Sequence, residues 1–311
     1  MRVQLSWESG GETVSLDRCL RLSLLRDRYQ PFSVLRAEFA AEADCPLPLG
    51  LTLTVGGQTV FCGLAREAAL RRENGQTILS VHARSYSEAL TRNQLQPGIH
   101  ADVTLDSLMT AYALPHMTYE AVTGTVGYIY VREHTALWDA VIAYAYKRAR
   151  AFPYLRVPNL LCVSPQTGTD AVILPENRLL RTADITDTGG MVSRVEMAEL
   201  DGTPSRFVMD NPEAVRRNIV RVKQIPFDRQ FASSPGDALA FRIALSNRRL
   251  LAREVTYAGY CGEDIGDLLR CGGLAARAGR ILITADGSGI TTAVRFYEDS
   301  FCGQPQESGI S

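Results

Sequence analysis

The chain has 311 residues, with 33 basic and 34 acidic side chains and a formal charge of −1. At about 100–200 residues per domain, that length predicts two or three domains. A composition that is 46% hydrophobic and 22% charged excludes wholesale disorder, a collagen-like repeat and a disulfide scaffold, and the neutral sum gives no long-range field to gather nucleic acid or an anionic membrane.

Lys147 and Lys223 are the only lysines, so arginine supplies almost every cation. Guanidinium pairs bidentately and desolvates more easily than ammonium. The bias therefore points either to a GC-rich coding sequence or to arginine ion pairs between subunits. No stretch approaches the roughly 20 apolar residues that span a bilayer. The opening Met1-Arg2-Val3-Gln4-Leu5-Ser6 moves straight into alternation rather than an apolar signal core. Synthesis and folding in the cytosol are expected. Seven cysteines, Cys19, Cys45, Cys62, Cys162, Cys261, Cys271 and Cys302, include no Cys-x-x-Cys pair. Reduced, mostly buried thiols are expected rather than a zinc site.

In chain order, the first hundred residues read as antiparallel β. Strand candidates are 19–26 and 32–42. Leu51, Leu53 and Val55 alternate with threonines, the period of a half-buried strand. Gly56-Gly57 and Asn74-Gly75 are hairpin turns, returning through Thr59–Arg66 and Thr77–Arg84. Short strands with tight turns predict a small barrel or sandwich. From Gln96-Pro97-Gly98 the texture changes. Leu105–Ala113 reads as a short helix capped by Thr104, and Tyr128–Val131 as a strand. His134–Arg150 is the clearest helix, with Leu137, Trp138, Val141, Ile142 and Ala145 at helical spacing and Thr135 as its cap. Leu155–Val163 returns as a strand. Beyond Asp170 the candidate strands are 171–174, 191–198, 206–209, 218–222, 254–260, 280–284 and 292–298. Ser234-Pro235-Gly236-Asp237 starts a helix, and Asp286-Gly287-Ser288-Gly289 is a hairpin tip. No fixed-period repeat is visible.

Catalytic motifs are missing from this pattern. There is no phosphate-binding Gly-x-x-x-x-Gly-Lys, no His-Glu-x-x-His and no Gly-x-Ser-x-Gly. His82 reads as a surface strand residue, His100 and His116 as loop residues, and His134 as a helix opener. None pairs with another at ligand spacing. Glu263-Asp264 and Glu298-Asp299 are paired acids of the kind glycoside hydrolysis uses, though such pairs more often decorate turns and strand ends. No catalytic, cofactor or metal site is assigned. Tyr144 and Tyr146 lie two apart on a helix and are not expected both to face inward, so one is read either as partly buried or as an exposed contact. With Arg148, Arg150, Arg216 and Arg217 they form the candidate interface set.

Residues 81–98 read Val-His-Ala-Arg-Ser-Tyr-Ser-Glu-Ala-Leu-Thr-Arg-Asn-Gln-Leu-Gln-Pro-Gly. This segment resembles tail hub proteins of contractile-tailed phages, the late-control tail protein D group, which also occurs in phage-derived bacteriocins. Arg84, Ser85, Tyr86, Leu90, Asn93 and Pro97 stand at the matching places. Thr91 replaces a second leucine, and Arg92 replaces an acidic residue. His134-Thr135-Ala136-Leu137-Trp138-Asp139 is similar to a family phrase but lacks its glycine. Ile265-Gly266-Asp267-Leu268 is similar to a Pro-Gly-Asp turn with isoleucine for proline. The resemblance spans about residues 75–300.

The resemblance implies an α+β, mainly β fold: two tube-like β-barrel domains with an inserted small α/β module. The domains are expected at 1–95, 96–165 and 166–303, the last with one helix at 235–249, followed by a flexible tail at 304–311. It implies a structural hub of a phage or phage-like tail baseplate, assembled in the bacterial host cytoplasm. A homotrimeric ring would adapt the six-fold tail tube protein to a three-fold central spike protein, among other baseplate proteins. Neither catalysis, a cofactor, specific nucleic-acid binding nor membrane insertion is expected. A neutral inner channel would pass its cargo without gripping it. The alternatives are the hub of a non-contractile tail and, in a different class, a tail-tip cell-wall hydrolase.

Overall fold

The computed structural model describes residues 1–301, so Cys302 and the expected tail at 304–311 lie outside the described residues. The N-terminal strands are β1 (Val3–Ser9), β2 (Glu12–Leu16), β3 (Cys19–Asp27), β4 (Val34–Ala41), β5 (Gly50–Val55), β6 (Gln58–Glu73) and β7 (Gln76–Ser85). Their alternation does what the sequence predicts: Leu22 and Leu24, Leu35, Ala37 and Phe39, Leu51 and Leu53, and Leu79, Val81 and Ala83 point into one core. Two bends roll the sheet around that core. β2 pairs with β1 while its continuation β3 pairs with β4, and the first half of β6 pairs with β5 while its second half pairs with β7. Gly63 sits at the second bend, where a Cβ would lie 2.2 Å from the Arg84 carbonyl oxygen. Only glycine admits that approach.

The Arg-Ser-Tyr segment carries the chain out of this barrel. α1 (Ala89–Arg92), β8 (Gly98–Val103), α2 (Leu105–Thr110), β9 (Thr118–Tyr119), β10 (Val126–Val131), α3 (Leu137–Ala149), β11 (Tyr154–Arg156) and β12 (Leu160–Cys162) follow. Thr104 caps α2 as expected, accepting from Ser107 N at 3.0 Å. α3 starts at Leu137, three residues later than the periodicity predicts. Thr135 accepts instead from Arg132 N at 3.1 Å, and Asp139 accepts from Ala136 N at 3.3 Å. His100 lies in β8, not in a loop.

The remaining elements are β13 (Ala171–Ile173), β14 (Leu179–Thr186), β15 (Arg194–Met197), β16 (Phe207–Asp210), α4 (Pro212–Arg216), β17 (Val222–Ile225), α5 (Pro235–Asn247), β18 (Leu251–Ala258), β19 (Leu268–Cys271), β20 (Leu274–Arg277), β21 (Arg280–Asp286) and β22 (Gly289–Tyr297). The fold is therefore α+β and mainly β. Pro235 takes the first position of α5, yet Ser234 makes no side-chain cap bond. The strand expected at 218–222 lies instead at Val222–Ile225. Asn218 ends α4 in a left-handed conformation, with φ of 55°, and delays the strand.

Two large cores organise these pieces. One fills the N-terminal barrel and continues through Val255, Tyr257, Ile281, Ile283 and Val294 of the C-terminal strands. The other joins the α/β module to β15 and α5 through Trp138, Tyr144, Phe152, Val195, Met197, Phe231 and Phe241. The stretch around β15–α5 thus packs on the module, in a core that Ala252 of β18 and Tyr297 of β22 also enter.

Candidate assembly interface

The strands β14-β18-β22-β21-β3-β4-β7-β6 run side by side, every neighbouring pair antiparallel, so one sheet crosses both halves of the chain. Numbered along the chain, the spatial order of β14, β18, β22 and β21 is first, second, fourth, third, and β3, β4, β7 and β6 repeat it before the sheet continues through β5, β1 and β2. β14-β18-β22-β21 and β3-β4-β7-β6 are therefore two tandem copies of one topology. Sequence periodicity gives no hint of this, because the α/β module and the β15–α5 stretch interrupt the strands at different places.

The joint between the two units is β21 against β3, with Ile281 opposite Arg26 and Ile283 opposite Leu24. The outer strands of the pair are open. Among the described residues, β14 pairs only with β18, and residues 67–73 of β6 pair only with β7. Free strand edges are templates for pairing with another chain. β14 carries exposed Leu179 and Leu180, and the β6 edge carries Glu67, Arg71, Arg72 and Glu73.

One face of the sheet covers the barrel core, and the other is polar. Thr291, Thr284, Ser23, Arg36, His82 and Glu67 form a cross-strand row on that second face. A furrow of about 400 Å3 there is lined by Arg21, Arg36, Glu38, Glu67, Arg71 and His82, and a smaller one in the other half by Arg181, Glu254 and Arg280. Acidic and basic groups interleave. Glu254 accepts from Arg181 at 2.9 Å and Arg295 at 2.8 Å. These bonds hold its carboxyl below the usual range, against a burial effect that alone would raise it.

Most other arginines also serve the fold. Buried Glu88, in the turn before α1, accepts from Arg66, Arg84 and Arg92. Asp228 accepts from Arg242 at 3.0 Å, and Asp27 accepts from Arg249 and from the Tyr297 hydroxyl, each at 2.9 Å. The planar fork lets one carboxylate serve several cations.

Three of the four paired acids take structural roles, and Glu298 is exposed. Glu263 is fully buried, accepting from the Tyr257 hydroxyl at 2.5 Å and Cys261 N at 3.0 Å. Burial pushes its carboxyl up. Asp264 accepts from Arg26, Val157 N and Ile265 N. Asp299 accepts from the Tyr29 hydroxyl and from Phe301 N. Among the described residues no cluster of His, Cys, Asp and Glu is placed to hold a metal. His116 stacks on Tyr86, ring centroids 4.2 Å apart. Of the cysteines described, Cys162 is buried and the rest are half-buried, so the expectation of mostly buried thiols is too strong.

The expectation that Tyr144 and Tyr146 do not both face inward is corrected. Tyr144 is 0% and Tyr146 7% exposed. α3 is enclosed on two sides: Tyr144 donates to Gly124 O on the β10 side, while Tyr146 packs 4.4 Å from the Phe241 ring of α5. Arg148 and Arg150 do come together, lining a groove with Lys147, Tyr128, Phe231 and Asp237. Arg216 and Arg217 sit apart on and after α4, both paired with Glu213. The open edges were missed. β14 in particular has no clean alternation, since most of its residues are exposed.

No family model matches the sequence, and no curated relative matches it. Solved structures do. A tail protein from Neisseria meningitidis superposes with a TM-score of 0.73 at 16% identity, over 97% of this chain and 98% of that one. The 43 kDa tail protein of prophage MuSo2 from Shewanella oneidensis gives 0.68 at 13% identity, over 95% and 97%. An E. coli component of the type VI secretion system gives 0.55 at 8% identity, over 93% and 76%. The chain has the fold of phage tail proteins.

Proposed function

We propose that the chain is a structural hub subunit of a phage or phage-like tail baseplate, closing with two further copies into a ring through its open sheet edges. The observation that carries this reading is the tandem topology. In each chain the third strand of one unit, β21, pairs antiparallel with the first strand of the next, β3. The free β6 edge is again a third strand and the free β14 edge a first strand. Pairing β6 of one copy with β14 of the next repeats the internal joint, head to tail, and such a contact closes into a ring when the rotation allows. Three copies supply six equivalent four-strand units, which match a six-fold tail tube on one side and leave three-fold symmetry for a spike on the other. The interleaved charges of the polar face suit a channel wall that passes cargo without binding it.

Three of the four paired acids that a cell-wall hydrolase could use are engaged in the fold, Glu263 with Tyr257, Asp264 with Arg26, and Asp299 with Tyr29, while Glu298 is exposed. Hydrogen exchange tests the joint. Amides of residues 67–73 and 179–186 slow together when the full chain assembles. Unchanged exchange of both edges in an assembled ring excludes the pairing.

A further inference from the structure

The groove beside the C-terminal turn of α3 has a volume of about 450 Å3 and three walls: β10 with Tyr128, the α3 turn with Lys147, Arg148 and Arg150, and the entry to α5 with Phe231 and Asp237. Arg150 is paired with Asp237 at 2.7 Å, but no carboxylate among the described residues lies within ion-pair distance of Lys147 or Arg148. Lys147 donates to Tyr128 O at 2.8 Å, and its ammonium lies 3.6 Å from the Tyr128 ring centroid and 5.7 Å from that of Phe231. Arg148 reaches only neutral oxygens, Thr123 O at 3.4 Å and Ser164 Oγ at 3.3 Å. Burial pulls the Lys147 amine down to about 8, with Asp228 opposing. Two adjacent cations are thus held half out of water, Lys147 against two aromatic rings, with no carboxylate in direct contact among the described residues. The start of α5 adds the positive end of a helix dipole to the same groove.

We propose that this groove docks an acidic segment of a partner protein, with a carboxylate seated against Lys147 and Arg148 and an apolar side chain against Tyr128 and Phe231. A peptide fits better than a nucleic acid. A phosphodiester chain brings one charge per nucleotide, whereas this groove offers two unpaired cations and places Asp237 in its wall. A single carboxylate flanked by an apolar residue meets both features.

The test is panning of a random dodecapeptide library on the immobilised full chain, with counter-selection on the Lys147→Gln/Arg148→Gln variant. Enriched peptides carry Asp or Glu beside an aromatic or aliphatic residue. A synthetic one binds the parent chain at least about tenfold tighter than the variant, and amidating its acid causes the same loss. Arg148→Gln alone, at a solvent-reaching position, repeats the loss in part and guards against a folding defect in the double variant. The proposal is overturned if enriched peptides lack acids, if they bind parent and variant equally, if nothing enriches, or if a single-stranded oligonucleotide competes as well as the peptide. Ring assembly of the variant is measured separately, since the groove lies between the α/β module and the entry to α5 and not on either sheet edge.

Discussion

Arg26 of β3 and Asp264 of the loop before β19 form a buried ion pair between residues 238 positions apart in sequence. It ties the N-terminal barrel to the C-terminal strands beside the β21–β3 joint. Arg156 of β11 joins from the α/β module, bonding Asp267 at 2.7 Å and lying 3.4 Å from Asp264. Three parts of the chain meet at one charge cluster. Asp264→Ala leaves the Arg26 guanidinium buried and unpaired. Chemical denaturation is expected to show a loss of about 3–5 kcal/mol. A loss below about 1 kcal/mol, the range of a surface ion pair, would show that water reaches this site.

Glu88 gives a pH signature. Burial alone would raise its carboxyl, but bonds from Arg66, Arg84 and Arg92 outweigh that and hold it below the usual carboxylate range. An acid with a lowered folded pKa adds stability above its unfolded value, and that stability is lost as pH falls through the folded value. Glu88→Gln is therefore expected to cost about 1–3 kcal/mol at neutral pH and progressively less as the pH falls below about 4. Paired denaturation curves across that range check it. A gap that stays constant with pH contradicts the assignment.

Gly63→Ala tests the second bend of the barrel. The new methyl would meet the Arg84 carbonyl and the Phe61 ring, so β6 and β7 must part. A destabilisation of about 1–3 kcal/mol or more is expected from overpacking, read as a lower thermal midpoint. Gly57→Ala, in an open turn with φ of 83°, carries backbone strain without any clash. The comparison separates the two costs.

Much of this architecture was legible in the residues. The hairpins at Gly56-Gly57, Asn74-Gly75 and 286–289, the capped start of α2 and the extent of α5 follow from local turn and helix chemistry. Period-2 alternation marks β5 and β7 because one face of each is buried. What local pattern could not show is contact between distant elements. α3 looks amphipathic, yet α5 covers its second side and buries Tyr146. β14 reads as loop because a strand paired on one edge, and exposed along most of its length, needs no alternation. Arg148 and Arg150 were visible as a charged helix end, but the groove around them needs Phe231 and Asp237, some 80 residues later. The tandem topology is invisible because register, not residue identity, creates it.

The open edge offers a substitution that separates folding from assembly. Leu180 is 62% exposed on β14. Leu180→Lys is expected to change chain stability by no more than about 0.5 kcal/mol, while a charged side chain at a paired edge blocks association. Sedimentation velocity should show a folded chain that no longer assembles. Assembly equal to that of the parent would place the joint elsewhere.

The proposed ring is tested most directly by an electron-microscopy reconstruction of the full chain mixed with candidate tail tube and spike proteins. The account predicts three copies in a ring, six four-strand units around one channel, and β14 of each copy against residues 67–73 of the next. A chain that stays strictly monomeric with both proteins present, or a ring joined through other surfaces, would contradict it.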